Sequence, residues 1–255
     1  MFRRVYSIAV NTFRESLRDR VLLTLVVFAV LAMGAAKVIQ PVALGEADKI
    51  VKDIGLSAIT FFSVLIAILV GGRLVYREVE KRTVYLILAR PVRRREFIMG
   101  KYCGLLAVLY VSVLAMTAVF YVVLAVTGVG ASPVLLWSVM MTGCELALIT
   151  ALAVFFSTFV TPIAGSVFTM VLYFIGHSTV LLKQLAAMSP SPVVKVIGLV
   201  LYYVLPNLEN FNIRGDVVHS APLDLRVLLL SVVYAVVYSL TLLLIATGIF
   251  RRKDF

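Results

Sequence analysis

Residues able to do chemistry are few in this sequence, and most of them lie within apolar runs. Ser138, Thr142 and Glu145 recur at i, i+4 and i+7, so they share one helix face. Two other runs carry comparable stripes, Ser166, Thr169, Tyr173 and His177 in one and Ser231, Tyr234, Tyr238 and Thr241 in the other. Such hydroxyl stripes with one carboxylate could line a substrate path, for which Glu145, Thr142, Tyr173, Tyr234 and Tyr238 are the candidates. Hydroxyls and small residues also mediate packing between apolar helices, so a structural reading of the stripes stands beside the transport reading. Glu145 itself either pairs with hydroxyls of a neighbouring helix or serves transport. His177 reads as a packing histidine.

The usual catalytic patterns are missing. No paired-carboxylate site, H-E-x-x-H zinc site or serine with a base is present, and no Cys/His group has metal-ligand spacing, so no catalytic residue and no metal site is assigned. Cys103 and Cys144 fall at different depths of their runs, which argues against a disulfide. Gly100-Lys101 looks like the end of a phosphate-binding loop, but position 95 is Arg and position 102 is Tyr. The chain therefore lacks an ATP-binding motif, is not read as an enzyme, and is expected to bind no cofactor. Arg214-Gly215-Asp216 reads as an exterior turn.

The elements that must position these residues follow from composition. Of 255 residues 62% are hydrophobic and 15% charged, against about 45–50% and about 25% in soluble domains, which excludes an ordinary water-soluble protein. A bilayer-crossing helix needs about 20 mostly apolar residues. Six runs qualify: 21–39, 56–75, 102–127, 134–160, 163–182 and 225–250. Ser157, Thr158, Thr161 and Pro162 mark the turn between the fourth and fifth. A seventh run, 193–205, is short for a span and suits a re-entrant or surface helix, with Ser191 as N-cap and Pro192 at the first helical position. Residues 2–20 have helical periodicity, with Phe2, Val5, Tyr6, Ala9, Phe13 and Leu17 on one face, as in an amphipathic helix lying at the membrane interface. The run 21–39 and its long leader do not suit a cleaved signal peptide. The expected fold is thus an all-α polytopic membrane protein: six transmembrane helices, an N-terminal interfacial helix (1–20), a cytoplasmic segment (73–101) and a re-entrant or surface helix within an exterior segment (183–224). One transmembrane domain spans 1–255.

Charge orients these spans. The net charge is +11, from 24 Lys and Arg against 13 Asp and Glu. With the N-terminus inside, 17 basic residues fall in interior segments and seven in exterior ones, so both termini should be cytoplasmic. This distribution explains the basic excess without nucleic acid, which would require a basic patch on a folded domain. Of the interior segments only 73–101 is long enough for structure beyond a turn. It carries nine basic and three acidic residues. Residues 74–89 suit a helix, with Glu78 and Arg82 in favourable i,i+4 order, Arg90-Pro91 breaks it, and Arg93, Arg94, Arg95 and Glu96 open a second helix leading into the third span.

The string from Glu78 and Glu80 through Lys81-Arg82-Thr83, Pro91 and Arg93-Arg94-Arg95 to Gly100-Lys101 resembles the loop after the second span in type-2 ATP-binding-cassette (ABC) transporter permeases of the bacterial exporter type. Arg82 departs from the glycine usual before the threonine. The span count, the N-terminal helix, the short helix before the sixth span and the stretch 205–213 also fit that family, so the resemblance covers the whole chain. It implies a multi-pass permease of the bacterial cytoplasmic (inner) membrane, working as a homodimer with separate ABC ATPase subunits that hold ATP and Mg. It also implies that the loop docks into the ATPase, with Glu78, Glu80, Thr83, Pro91, Arg94, Gly100 and Lys101 as the coupling positions. Two other classes remain, a proton-coupled secondary transporter relaying charge through Glu145 and His177, and a non-transporting membrane anchor for a cytoplasmic partner.

Overall fold

The computed structural model describes residues 2–39, 46–76, 93–189 and 191–252. Glu78, Glu80, Thr83 and Pro91 lie outside the described residues, as does the helix expected at 74–89 beyond Tyr76. Among the described residues every regular element is helical. In chain order these are α1 (Phe2–Leu17), α2 (Arg20–Ile39), α3 (Ala47–Gly71), α4 (Arg94–Thr127), α5 (Leu135–Ser157), α6 (Pro162–His177), α7 (Thr179–Met188), α8 (Pro192–Val204), a 3-10 turn (Glu209–Phe211), α9 (Arg214–Val218) and α10 (Leu225–Arg252).

Five of them, α2, α3, α4, α5 and α10, are long and apolar enough to cross a membrane. Two bent pairs add to these: Pro162–His177 with Thr179–Leu185 at 59°, and Val193–Val204 with Glu209–Val218 at 49°. The protein is an all-α polytopic membrane protein, with the first bent pair at the expected fifth span and the second at the expected re-entrant segment. Helix α5 is central, packing on α3, α4, α6 and α10. Its buried residues run nearly all around it, from Leu146 and Ile149 to Thr150 and Val154, as expected of a helix with no outward polar face.

Several boundaries differ from the sequence reading. Helix α3 begins at Ala47, well before residue 56, with a polar first turn in which Lys49 and Glu46 form an i,i+3 ion pair of 2.7 Å. Helix α4 begins at Arg94, where the carboxylate of Glu96 accepts from the Arg93 N–H at 3.0 Å and completes half of a capping box. Gly128, at φ 74°, ends the same helix in the left-handed conformation. Ser191 stands at the N-cap of α8 with Pro192 at the first position, as expected, but its hydroxyl makes no capping bond.

The run expected as the fifth span is not one helix. It breaks at Ser178 because the Gly176 carbonyl is drawn out of the helix ladder, accepting from the Leu208 N–H and from the Thr179 hydroxyl, each at 3.1 Å. No local pattern announces this, since the partner comes from the segment after α8.

Helix α1 forms over the expected residues, and of its apolar face Val5, Ala9, Phe13 and Leu17 are half-buried. It lies along the start of α4, and Thr12 and Ser16 are its buried residues, while Phe2 and Tyr6 are exposed. The cause is on α4. A side chain added at Gly104 would meet the Ala9 carbonyl and Thr12 Cβ at 2.6 Å, and one at Gly100 would meet Ile8 at 2.7 Å. These two glycines let the backbones approach, so α1 docks on α4 through Ile8, Ala9 and Thr12 while Phe2 and Tyr6 stay exposed.

Candidate functional site

Two groups of polar residues stand out, one reaching from the middle of α5 to the end of α6 and the other at the start of α4. The first brings Glu145 of α5, His177 of α6 and Glu209 of the 3-10 turn into one chain of contacts. His177 Nε2 lies 2.9 Å from Glu145 Oε1, and its Nδ1 lies 3.1 Å from Glu209 Oε2. Tyr173, one turn earlier on α6, packs edge-on against the imidazole with ring centroids 4.9 Å apart. Each ring nitrogen thus faces a carboxylate, and ionised carboxylates only accept. Two hydrogen bonds need two protons, carried by an imidazolium or divided between His177 and one glutamic acid.

Around this bridge lies a polar cavity of about 150 Å³, lined by Thr60, Ser138, Thr142, Glu145, Tyr173, His177, Phe211, Asn212 and Arg214, with room for several waters or a small polar group. The hydroxyls of Thr60 and Thr142 are 3.0 Å apart and link α3 to α5. Asn212 donates its amide to Glu209 at 3.0 Å. Arg214 Nε reaches Asp53 at 3.0 Å, and its NH1 group donates to the Ser57 hydroxyl at 2.6 Å. Arg214 therefore begins a short helix instead of the expected turn, and its guanidinium ties that helix to α3. The arrangement joins α3, α5, α6 and the segment 209–214 through charged hydrogen bonds and leaves a wetted space between them.

Of the candidate path residues, Glu145, Thr142 and Tyr173 meet at this cavity. Tyr234 and Tyr238 do not line it. The Tyr234 hydroxyl accepts from the Asn207 N–H and the Tyr238 hydroxyl donates to the Val204 carbonyl, each at 2.9 Å, so they fasten α10 to the end of α8 and the segment that follows. The partner of Glu145 is His177, not the neighbouring hydroxyls expected from the stripes. Glu209, Asn212, Asp53 and Arg214 went unassigned in the sequence. The available signal was the polar and charged run Asn207, Glu209, Asn210, Asn212, Arg214 and Asp216 interrupting the apolar sequence, while its convergence with Glu145 is set by tertiary packing. Among the described residues no group of three or more His, Cys, Asp or Glu could hold a metal ion, and both cysteines are free.

The second group is at the root of the segment 73–101. Lys101 is buried at 2% side-chain exposure, 3.6 Å from Glu15 of α1, with its ammonium 6.0 Å from the centre of the Phe97 ring. Arg94 NH1 donates to the Phe250 carbonyl at the end of α10, and its guanidinium lies over the Phe250 ring. Arg4 of α1 lies 3.8 Å from Glu96. Arg73, at the other end of the segment, pairs with Asp19 at 3.1 Å. Arg94, Gly100 and Lys101, three of the seven candidate coupling positions, thus face inward and brace the start of α4 against α1 and α10.

A comparison with curated proteins finds no match. The model of the ABC-2 family transporter proteins matches residues 6–255, nearly the whole chain, in agreement with the multi-pass helical architecture. The protein belongs to the ABC-2 transporter family and is a membrane permease subunit of an ABC transporter.

Proposed function

We propose that this permease works as an exporter driven by a separate ABC ATPase, with 73–101 as the docking segment, both termini cytoplasmic, and two copies in the assembly at the bacterial inner membrane. Basic residues concentrate at the end of the helices that holds α1 and the start of α4, which supports a cytoplasmic placement of that end. ABC-2 permeases in general act with an ATPase partner, and this chain has no phosphate-binding loop of its own.

The observation that carries the coupling proposal is the bracing of α4. This helix runs unbroken for 34 residues, roughly 50 Å, from the charged segment to the far end of the helices. Its root is clamped by α1 through Lys101–Glu15 and by α10 through Arg94–Phe250. A load applied to the docking segment would move α4, α1 and α10 together instead of bending one turn. The Glu145–His177–Glu209 bridge holds α5 and α6 to the segment after α8, where an outward opening would have to part them.

The test is to reverse Glu78 and Glu80 together to Arg and to measure the ATPase activity of the co-purified complex in proteoliposomes. Loss of permease-dependent hydrolysis with an intact permease is expected. Unchanged hydrolysis would remove the docking role. The bridge also lends support to a second reading, proton-coupled transport through Glu145 and His177, which predicts transport driven by a pH gradient in vesicles without ATPase or ATP.

A further inference from the structure

Between α2, α3 and α6, at the same end as the basic segment, an apolar groove of about 390 Å³ opens outward. Val21, Leu65, Leu69, Ile163, Val167 and Met170 form its walls, and Ile163 is 80% exposed at its edge. Ser166, its neutral polar residue, spends its hydroxyl on the Ile68 carbonyl at 3.3 Å. Arg73 is the charged residue of the lining, and it also lines a second, polar cavity of about 210 Å³ with Glu15, Ser16, Arg18 and Asp19. An apolar space and a polar one thus meet at a single guanidinium. Its NH2 group is paired with both Asp19 oxygens, at 3.2 and 3.1 Å, while its Nε–H is buried with no hydrogen-bond partner among the described residues. A buried donor without an acceptor is costly, and an acceptor entering from the groove would satisfy it.

We propose that this pair of cavities binds one anionic glycerophospholipid, with an acyl chain in the groove and the phosphodiester on Arg73. The charges around the head position favour an anionic lipid over a zwitterionic one. Glu15 is engaged by Lys101 and Asp19 by Arg73, which leaves Arg18 as the surplus cation. The position near the span ends, where Arg18 and Arg73 line one cavity, is the depth of a headgroup. Placing the site in the inner leaflet rests on the orientation proposed above; the lipid preference does not, and it is measured on the permease alone.

The chain has a single tryptophan, so Trp137→Phe with Ile163→Trp puts one fluorophore at the groove's edge. In phosphatidylcholine vesicles containing increasing fractions of brominated phosphatidylglycerol or brominated phosphatidylcholine, quenching reports local lipid occupancy. Brominated phosphatidylglycerol is expected to quench with a relative binding constant about fivefold higher, the effect of about one basic side chain at a membrane surface. A second reporter, Leu230→Trp on the exposed face of α10, should show a ratio near one. Arg73→Gln should bring the groove ratio to about one. Val167→Phe, which fills the groove and leaves the Arg73–Asp19 pair intact, should lower it as well and guards against misfolding of the arginine variant. Equal quenching by the two lipids at the groove reporter, or a ratio that survives both Arg73→Gln and Val167→Phe, overturns the assignment. Either result leaves the docking of the ATPase untouched.

Discussion

The bridge at His177 sets a sharp energetic test because its two carboxylates sit in different surroundings. Glu145 has 3% of its side chain exposed and Glu209 has 40%. His177→Ala removes the hydrogen bond to Glu145 and leaves a buried carboxylate whose imidazole partner is gone, a change that costs about 3–5 kcal/mol when a buried pair is broken from one side. Glu209→Gln keeps an acceptor oxygen at a half-exposed position and should cost under about 1 kcal/mol. Combining His177→Ala with Glu145→Gln removes the stranded charge and leaves a buried amide, worth about 1–3 kcal/mol. The double variant should therefore be more stable than His177→Ala alone, by about 2 kcal/mol, a strongly non-additive outcome for residues in contact. Reversible unfolding in mixed micelles of a mild detergent and dodecyl sulfate, followed by far-ultraviolet circular dichroism, gives these three values and that of Glu145→Gln alone, which completes the cycle. If His177→Ala costs no more than Glu209→Gln, or the two changes at positions 145 and 177 simply add, the bridge does not carry the load assigned to it.

Other substitutions probe the remaining joints. Gly104→Leu drives a side chain into the Ala9 carbonyl and Thr12 and should release α1 from α4, seen as faster proteolysis near the N-terminus with the spans still folded; an unchanged digestion pattern contradicts the close approach. Gly176→Val meets the Pro206 carbonyl at 2.8 Å and Leu208 at 2.7 Å, so it should part the segment 206–209 from α6 and lower transport-linked ATPase activity without loss of ATPase binding. Tyr238→Phe deletes one hydrogen bond to the Val204 carbonyl and should cost about 0.5–1.5 kcal/mol in the same unfolding assay; a larger loss would mean that the hydroxyl does more than fasten α8.

The spans were legible because length and apolarity are local properties, and the turn at 158–161 showed itself by Pro162 and its hydroxyl neighbours. The break at Ser178 was not, because its cause is the Leu208 N–H reaching the Gly176 carbonyl from another part of the chain. Periodicity correctly put Ser138, Thr142 and Glu145 on one face, and Thr169, Tyr173 and His177 on another, but it could not tell which faces meet. Glu145 consequently found an imidazole instead of hydroxyls. For α1, periodicity marked the apolar face, but the close docking of Ile8, Ala9 and Thr12 on α4 depends on Gly100 and Gly104, which lie far away in sequence. Arg94, Gly100 and Lys101 were identified by resemblance to coupling positions; their inward bracing depends on α1 and α10, which are far away in sequence.

The central claim, that a separate ATPase drives this permease through the segment 73–101, is tested most directly by purifying the tagged chain in mild detergent and assaying the complex in proteoliposomes. The account predicts that an ATPase co-purifies, that its hydrolysis depends on the permease, and that the Glu78→Arg, Glu80→Arg double variant abolishes this dependence while the permease stays folded. A folded permease that captures no ATPase, or hydrolysis that is the same with the double variant, would contradict it.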